Sequence, residues 1–224
     1  MVPPPPRGAR IRARLTYERL RDLYPAATEL SHEDAFQLLI ATILSAQTTD
    51  RSVNLVTPEL FRRYPKPDDL AAADPAEVER LIKPTGFFRL KSRRIIAASR
   101  KLVEAFGGVV PQTIDELVKV PGIGRKTANV ILGVGFGVPG FAVDTHVTRL
   151  TNRLKLVATR DPVKIERQVC SMVPKEEWTG LSLRLILHGR RVCIARRPRC
   201  EECVLNDFCP SSLVRPPRRS RAHP

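Results

Sequence analysis

The sequence ELVKVPGIGRKTANVI, residues 116–131, decides the fold of this 224-residue chain. Pro121 ends the helix before it, because proline lacks a backbone N–H and clashes with the preceding turn. Gly122 and Gly124 permit a tight turn with backbone angles that residues with side chains avoid. A second helix is predicted to begin near Gly124, and unpaired N–H groups at such a helix start can bind a phosphate. The stretch therefore predicts a helix–hairpin–helix motif that binds DNA.

Lys126 is the residue of this stretch that can carry chemistry. The apolar face of the predicted second helix carries Ala128, Ile131 and Leu132. Lys126 points roughly the opposite way, so we expect it to face a cleft. The positive end of the helix dipole and the neighbouring Arg125 both favour a neutral amine, which can attack carbon and form a Schiff base. The alternative is an ordinary helix–turn–helix corner whose lysine is a solvated surface charge.

The charge balance indicates a polyanionic partner. Lys and Arg number 38 and Asp and Glu 23, which gives a net charge of +15 and favours nucleic acid. An anionic membrane surface is the rival, but no apolar run approaches the length of a membrane span and no lysine-rich amphipathic helix is present. The chain begins MVPPPPR, without an apolar signal region. We therefore expect a cytoplasmic, nucleoid-associated protein that is not exported and does not bind membranes.

The pattern of apolar residues predicts an all-α fold. Apolar residues recur at helical spacing, and no stretch alternates convincingly as a strand. Ser31–Asp34 and Thr113–Glu116 look like capping boxes at helix starts. Residues 1–14 and 211–224 are rich in proline and arginine, so we expect disordered basic tails that either solubilise the protein or trail along DNA.

Four of the five cysteines lie close together near the C-terminus, at Cys193, Cys200, Cys203 and Cys209. In a reducing compartment such clustering indicates metal ligation more than disulfides. Four thiolates can hold tetrahedral zinc or a cubane [4Fe–4S] cluster, and the residues alone do not decide between them. The loop between the first two cysteines displays Arg196, Arg197 and Arg199. We interpret these arginines as phosphate-binding, although they could merely offset the charge of a cluster.

These segments together resemble the endonuclease III family of DNA glycosylases over roughly residues 15–210. The resemblance is carried by PGIGRKTA at 121–128, VDTH at 143–146, and LHGR at 187–190 with the cysteine spacing after it. It favours the [4Fe–4S] cluster over zinc. It implies a bifunctional base-excision repair enzyme that removes oxidised pyrimidines and cleaves abasic sites by β-elimination through a lysine Schiff base.

The resemblance also implies a domain organisation and two catalytic residues. It implies two helical domains with a DNA cleft between them: a six-helix domain at 28–138 with the hairpin, and a cluster domain formed by 15–27 plus 139–210. Lys126 and Asp144 would face each other across that cleft. Local sequence makes Asp144 an N-cap, and the family role adds stabilisation of the positive charge that develops on the sugar. Cap and catalyst are compatible roles.

Further residues are expected to contact DNA. In the family the target nucleotide is flipped out of the duplex. Gln47 is carried over as the residue that fills the gap, although its position alone fits an exposed loop amide. Phe87 is carried over as the wedge; family members commonly have a smaller aliphatic residue there, and Phe88 could take the role. His146 is expected to shape the site or contact the DNA backbone, and the hairpin contacts come from Gly122, Gly124 and Arg125.

Two alternative functions compete with this prediction. A monofunctional mismatch glycosylase of the same superfamily lacks the hairpin lysine and usually carries an extra C-terminal domain, whereas Lys126 is present here. A non-catalytic iron–sulfur DNA-binding module would be signalled by loss of Lys126 or Asp144, and both remain. The expected partner is double-stranded DNA with damaged pyrimidines or abasic sites, bound by a monomer.

Overall fold

The computed structural model describes residues 4–214, and the regular elements in that range are all helical. The α-helices are α1 (Ala9–Leu23), α2 (Ala35–Leu44), α3 (Asp50–Arg63), α4 (Pro67–Ala71), α5 (Pro75–Ile82), α6 (Phe88–Phe106), α7 (Ile114–Leu117), α8 (Arg125–Val130), α9 (Thr145–Arg153), α10 (Pro162–Cys170) and α11 (Trp178–Arg191). Shorter 3-10 turns occupy Lys83–Thr85, Lys175–Glu177 and Cys200–Glu202, and a π-helical turn at Ile131–Gly135 continues α8. The all-α prediction is confirmed for this part of the chain.

The chain divides into two compact units. One is Ala27–Ala142, which contains α2 to α8. The other comprises the described residues up to Ala26 and from Val143 onward, with α1, α9, α10, α11 and the cysteine loop. The sequence places the corresponding boundaries after residues 27 and 138. The first unit contains seven α-helical segments, of which α7 is a single capped turn of four residues.

The interior of Ala27–Ala142 is built around α2 and α6. Eight of the ten residues of α2 are buried, as expected for a helix that is apolar on all sides. Helix α6 packs against α2, α4 and α5. Helix α6 ends at Gly107, which adopts a φ of 60° and donates its N–H to the Leu102 carbonyl.

The start of α2 differs from the prediction. Asp34, and not Ser31, is the N-cap: its carboxylate accepts the Gln37 N–H at 2.7 Å. The Ser31 N–H instead donates to the Asn54 side chain at 3.0 Å. Ser31 lies too far from the first apolar turn to cap it, whereas Asp34 adjoins that turn. The second predicted cap is confirmed, since the Thr113 hydroxyl accepts the Glu116 N–H at 3.3 Å.

The predicted disorder of residues 1–14 is wrong from Ala9 onward, where α1 begins. Ala9 and Ala13 are buried one helical turn apart, so two small residues give this arginine-rich segment an inner face. Arg12 donates to the carbonyls of Leu154 and Lys155, both at 2.7 Å, and so satisfies groups just past the end of α9. Residues 1–3 lie outside the described range.

The C-terminal tail prediction falls mostly outside the described residues, which end at 214. Within the described part, the Ser211 hydroxyl donates to the Arg153 carbonyl at 2.9 Å. That bond ties the residue to the end of α9, close to the last cysteine. The expectation for residues 215–224 concerns residues that the structure does not describe.

Helix α11 forms the centre of the other unit. Residues 180–189 are all buried, and the helix packs against α1 and α9. Arg184 is only 8% exposed, and its guanidinium donates to the Tyr24 carbonyl at 3.1 Å and to Glu177 at 3.3 Å. The buried charge is therefore paired and hydrogen-bonded.

Across residues 4–214, no helix is both long and apolar enough to cross a membrane.

Candidate functional site

The hairpin turn depends on its first glycine. Gly122 has a φ of 87°, a conformation that side chains disfavour, whereas Gly124 has an ordinary φ of −96°. Gly124 is the N-cap of α8 and supplies no side-chain cap, and a Cβ there would meet no atom within 4 Å. The start of α8 is thus open to solvent at the residue where a phosphate is expected.

Lys126 lies in the first turn of α8 with its side chain exposed. On the opposite side, Ala128 and Ile131 are fully buried in the core of Ala27–Ala142. The expected orientation of the lysine, away from the apolar face, is therefore what the helix shows. Arg125, its neighbour at the helix start, is also exposed.

The two residues predicted to enter the DNA both have left-handed backbone conformations. Within residues 4–214 only four non-glycine residues have positive φ: Gln47 at 55°, Phe87 at 48°, Lys155 at 49° and Arg197 at 55°. Such a conformation costs a bulky residue about 1–2 kcal/mol, and strain of this kind concentrates at functional sites. Three of the four, Gln47, Phe87 and Arg197, are predicted DNA contacts, and their left-handed conformations were not predicted from the sequence.

Phe87 and Phe88 lie in the sequence Gly86–Arg89 at the start of α6, and the structure gives the two rings different environments. Phe87 is 65% exposed and is the N-cap residue of α6. Phe88 is half-buried and packs against the core, with the Arg89 guanidinium 5.7 Å from its ring centre. Phe87 therefore has the exposed ring that a wedge requires, whereas Phe88 holds the start of α6 to the core. Gln47, between α2 and α3, is also exposed.

Asp144 is the N-cap of α9, and its carboxylate accepts the Val147 N–H at 2.8 Å. The carboxylate is half-buried and lines an open pocket of about 690 Å³ whose wall includes Thr148, Arg149 and Arg160. One oxygen is held by the helix, so the position of the carboxylate is fixed by α9. The predicted cap is confirmed, and it leaves the acid beside a pocket.

The four cysteines line one cavity, together with Arg153, Val192 and Asn206. Four thiols on one cavity are a donor set of the kind that holds a [4Fe–4S] cluster.

Buried polar groups surround these thiols. Burial raises the pKa of the Cys203 thiol to about 11, and the other three cysteines act in the same direction. Burial lowers the pKa of His188 to about 4, so its ring is neutral. Its Nε2 lies 3.3 Å from the Cys203 sulfur and its Nδ1 lies 3.2 Å from the Tyr24 hydroxyl.

Two arginines of α9 connect that helix to the cysteine loop. Arg149 donates to His146 Nδ1 at 3.1 Å, to the Gly189 carbonyl at 2.9 Å and to the Cys193 carbonyl at 3.0 Å. Arg153 donates to the Cys193 sulfur at 3.2 Å and to the Ile194 carbonyl at 2.8 Å. Sequence reasoning missed both residues, although their spacing of four on the helix that Asp144 caps was a usable signal.

The three arginines of the cysteine loop are all exposed. Arg199 pairs with Glu202 at 3.7 Å, an exposed contact of little energetic weight. Within residues 4–214, Arg196 and Arg197 make no hydrogen bond or ion pair with the rest of the protein. Their guanidinium groups are therefore available to an external anion.

The comparisons with known proteins agree with this geometry. Residues 40–175, more than half of the chain, match the HhH-GPD superfamily of base excision DNA repair proteins. Residues 193–209 match the iron–sulfur binding domain of endonuclease III. Endonuclease III of Synechocystis sp. is 52% identical over 195 residues, which cover 86% of this chain and 89% of that protein. The chain belongs to the endonuclease III family.

Other members of the endonuclease III family are similar over the same length. The Bacillus subtilis protein is 45% identical, covering 86% of this chain and 89% of the relative, and the Escherichia coli protein is 41% identical, covering 85% and 91%. A solved structure of a trapped endonuclease III–DNA covalent intermediate matches with a TM-score of 0.84 at 41% identity, covering 90% of this chain and 96% of that one.

Membership of the endonuclease III family establishes the class of activity. The protein is a base-excision repair enzyme, a DNA glycosylase and abasic-site lyase, which binds DNA. Its cofactor is a [4Fe–4S] cluster, held by the cysteine loop.

Proposed function

We propose that this enzyme removes oxidised pyrimidines from double-stranded DNA and cleaves the resulting abasic sites through a Schiff base on Lys126. The observation that carries the proposal is an exposed lysine in the first turn of a helix–hairpin–helix. The enzyme is proposed to act as a monomer at the nucleoid.

The proposed reaction begins at the sugar. The neutral amine of Lys126 forms a bond to C1′, and the base leaves with the electron pair of the glycosidic bond and takes up a proton. Opening of the sugar ring then gives an imine between lysine and C1′. The imine acidifies the C2′ proton, whose loss expels the 3′ phosphate and breaks the strand. Water finally hydrolyses the imine and frees the lysine.

Asp144 is proposed to support the positive charge that develops on the sugar. Its place as an N-cap supports this role, because one oxygen is held by the Val147 N–H and the carboxylate cannot swing away. A fixed negative charge acts on the transition state without reorganising, which is the condition for effective electrostatic catalysis. His146, fixed through Arg149, is proposed to shape the same region or contact the DNA backbone.

Gln47 and Phe87 are proposed to occupy the space that the flipped nucleotide leaves. Their exposure and left-handed conformations support this assignment, since apolar insertion between bases is a common device and strain indicates a specific task. The hairpin residues Gly122, Gly124 and Arg125 are proposed to bind phosphate, together with the loop arginines at 196, 197 and 199. The cluster holds the loop that displays those arginines.

A panel of damaged duplexes tests the substrate assignment. Duplexes with one oxidised pyrimidine, one alkylated purine, one mismatched adenine or one abasic site are compared for base release and strand cleavage. We expect base release from oxidised pyrimidines, with strand cleavage there and at abasic sites. Base release confined to mismatched adenine, without strand cleavage, would replace the proposal with a monofunctional mismatch glycosylase.

A further inference from the structure

Lys91 is a buried lysine in the first turns of α6, four residues after the proposed wedge. Only 2% of its surface is exposed, and it lies among the buried residues of that helix. Its ammonium group donates to the Thr85 carbonyl at 2.7 Å. Burial lowers the pKa of Lys91, and no acidic group contributes to the shift. A lysine is rarely buried without an acidic partner, so the burial of Lys91 needs a structural explanation.

The explanation lies in the position of Lys91 at the start of α6. Side chains of an α-helix point back toward its N-terminus, so Lys91 reaches past the start of α6 to the preceding turn. Its backbone N–H donates to the Phe87 carbonyl at 3.0 Å, while its ammonium binds Thr85. Lys91 therefore has one bond on each side of the Gly86–Phe87 link.

The Gly86–Phe87 link has the least favourable backbone conformation in the turn before α6. Gly86 has a φ of 67° and Phe87 a φ of 48°, so two consecutive residues have positive φ and one of them carries a large side chain. Thr85 is buried, and its hydroxyl donates to the Ile82 carbonyl at 2.8 Å. The turn before the link is thus fixed to α5, and Lys91 fixes that same turn to α6.

We propose that Lys91 is a positioning residue that holds Phe87 in its exposed, left-handed conformation by bridging Thr85 to the first turns of α6. The inference rests on the proposed role of Phe87 as the wedge. The ammonium does not touch the reacting atoms. It keeps the aromatic ring presented before DNA arrives, so that binding does not have to order the corner.

A double-mutant cycle tests this directly. Lys91→Met, Phe87→Ala and the double variant are compared with the wild type for kcat/KM on a duplex with one oxidised pyrimidine. We expect Lys91→Met and Phe87→Ala each to lower kcat/KM by about tenfold, and the double variant to be no worse than Phe87→Ala, since residues that act as a unit are not additive. A 2-aminopurine placed beside the lesion should brighten less with Lys91→Met than with the wild type.

The controls separate the possible failures. Lys101→Met, in the same helix, should leave kcat/KM unchanged. If Phe87→Ala has wild-type activity, the wedge assignment fails and the inference fails with it. If Phe87→Ala is impaired but Lys91→Met is unimpaired, or adds its full loss to the double variant, only the inference is overturned. Should Lys91→Met not fold, Lys91→Gln replaces it: the same non-additive loss supports the inference, and additive or absent loss overturns it.

Discussion

At the scale of single residues, the site combines ordinary structural positions with specific chemistry. Asp144 is both the N-cap of α9 and the proposed charge-stabilising group, and Lys126 is both a helix-start residue and the proposed nucleophile. The sequence predicted these placements, because caps and glycine turns are local. It did not predict the left-handed Gln47 and Phe87, since glycine and asparagine are the residues that local rules place there.

Asp144→Asn separates the two roles of this residue. Asparagine caps helices about as well as aspartate, so the free energy of unfolding should change by less than about 0.5 kcal/mol. Base release should slow on the order of 100-fold, because the neutral amide cannot stabilise developing positive charge. Single-turnover base release, duplex affinity and thermal unfolding are the measurements.

Asp161→Asn is the matched control, because Asp161 caps α10 through bonds to the N–H groups of Val163 and Lys164 at 2.9 and 3.0 Å. Asp161→Asn should keep the wild-type rate of base release and the wild-type thermal stability. Equal loss of activity in the two variants, or loss of Asp144→Asn activity only through weaker DNA binding, would show that the charge of Asp144 is not used in catalysis.

At the scale of elements, the contact between α9 and α11 brings the proposed active-site helix against the cysteine loop. Gly189 of α11 permits this contact: a Cβ there would lie 2.8 Å from the Cβ of His146. Arg149 then bonds to His146, Gly189 and Cys193 across the gap. These bonds tie the cysteine loop to the helix that Asp144 caps.

Gly189→Ala should force α9 and α11 apart. Overpacking of this kind costs about 1–3 kcal/mol, and backbone must move because the clash is with a Cβ. We expect a lower thermal midpoint and faster loss of the visible absorption of the cluster in a chelator. The same helix offers a control in Gly180→Ala, whose new Cβ would lie 2.9 Å from the buried Arg184 guanidinium. This variant should lower the thermal midpoint by displacing that charge from Glu177, without faster loss of the cluster absorption. If Gly189→Ala matches Gly180→Ala in both measurements, close packing at Gly189 does not support the cluster.

The elements also show how far sequence reasoning reaches. Helix starts with local signals were predicted well: Thr113 caps α7 and Asp144 caps α9. The start of α1 was missed, because its order comes from bonds between Arg12 and a segment more than 140 residues away. Arg149 and Arg153 were missed because their partners, such as Gly189 and Ile194, lie 40 and 41 residues further along the chain. Local sequence patterns do not reveal which distant residues a long side chain contacts.

At the scale of the whole molecule, the net charge of +15 makes binding to DNA strongly dependent on salt. Each arginine or lysine that contacts a phosphate adds about one released counterion to that dependence. Arg197 is exposed, left-handed and without an internal partner within the described chain, so it is the loop residue whose contribution is easiest to isolate.

Arg197→Ala should weaken binding to damaged and undamaged duplexes alike. The slope of log affinity against log salt should fall by about one, because one phosphate contact is lost. Arg62→Ala removes an equally charged side chain that is paired with Glu59 at 2.6 Å, and should leave the slope nearly unchanged. An unchanged slope for Arg197→Ala, or an equal change for both variants, would mean that Arg197 contacts no phosphate.

Borohydride trapping on a duplex with one abasic site tests the central assignment, the Schiff base on Lys126, most directly. Reduction of the imine should link wild-type protein covalently to the DNA. Lys126→Gln should give no linked product and no strand cleavage, while keeping the visible absorption of the cluster, the thermal midpoint and the affinity for the duplex. Linked product from Lys126→Gln at the wild-type yield would place the nucleophile on another residue and contradict the account.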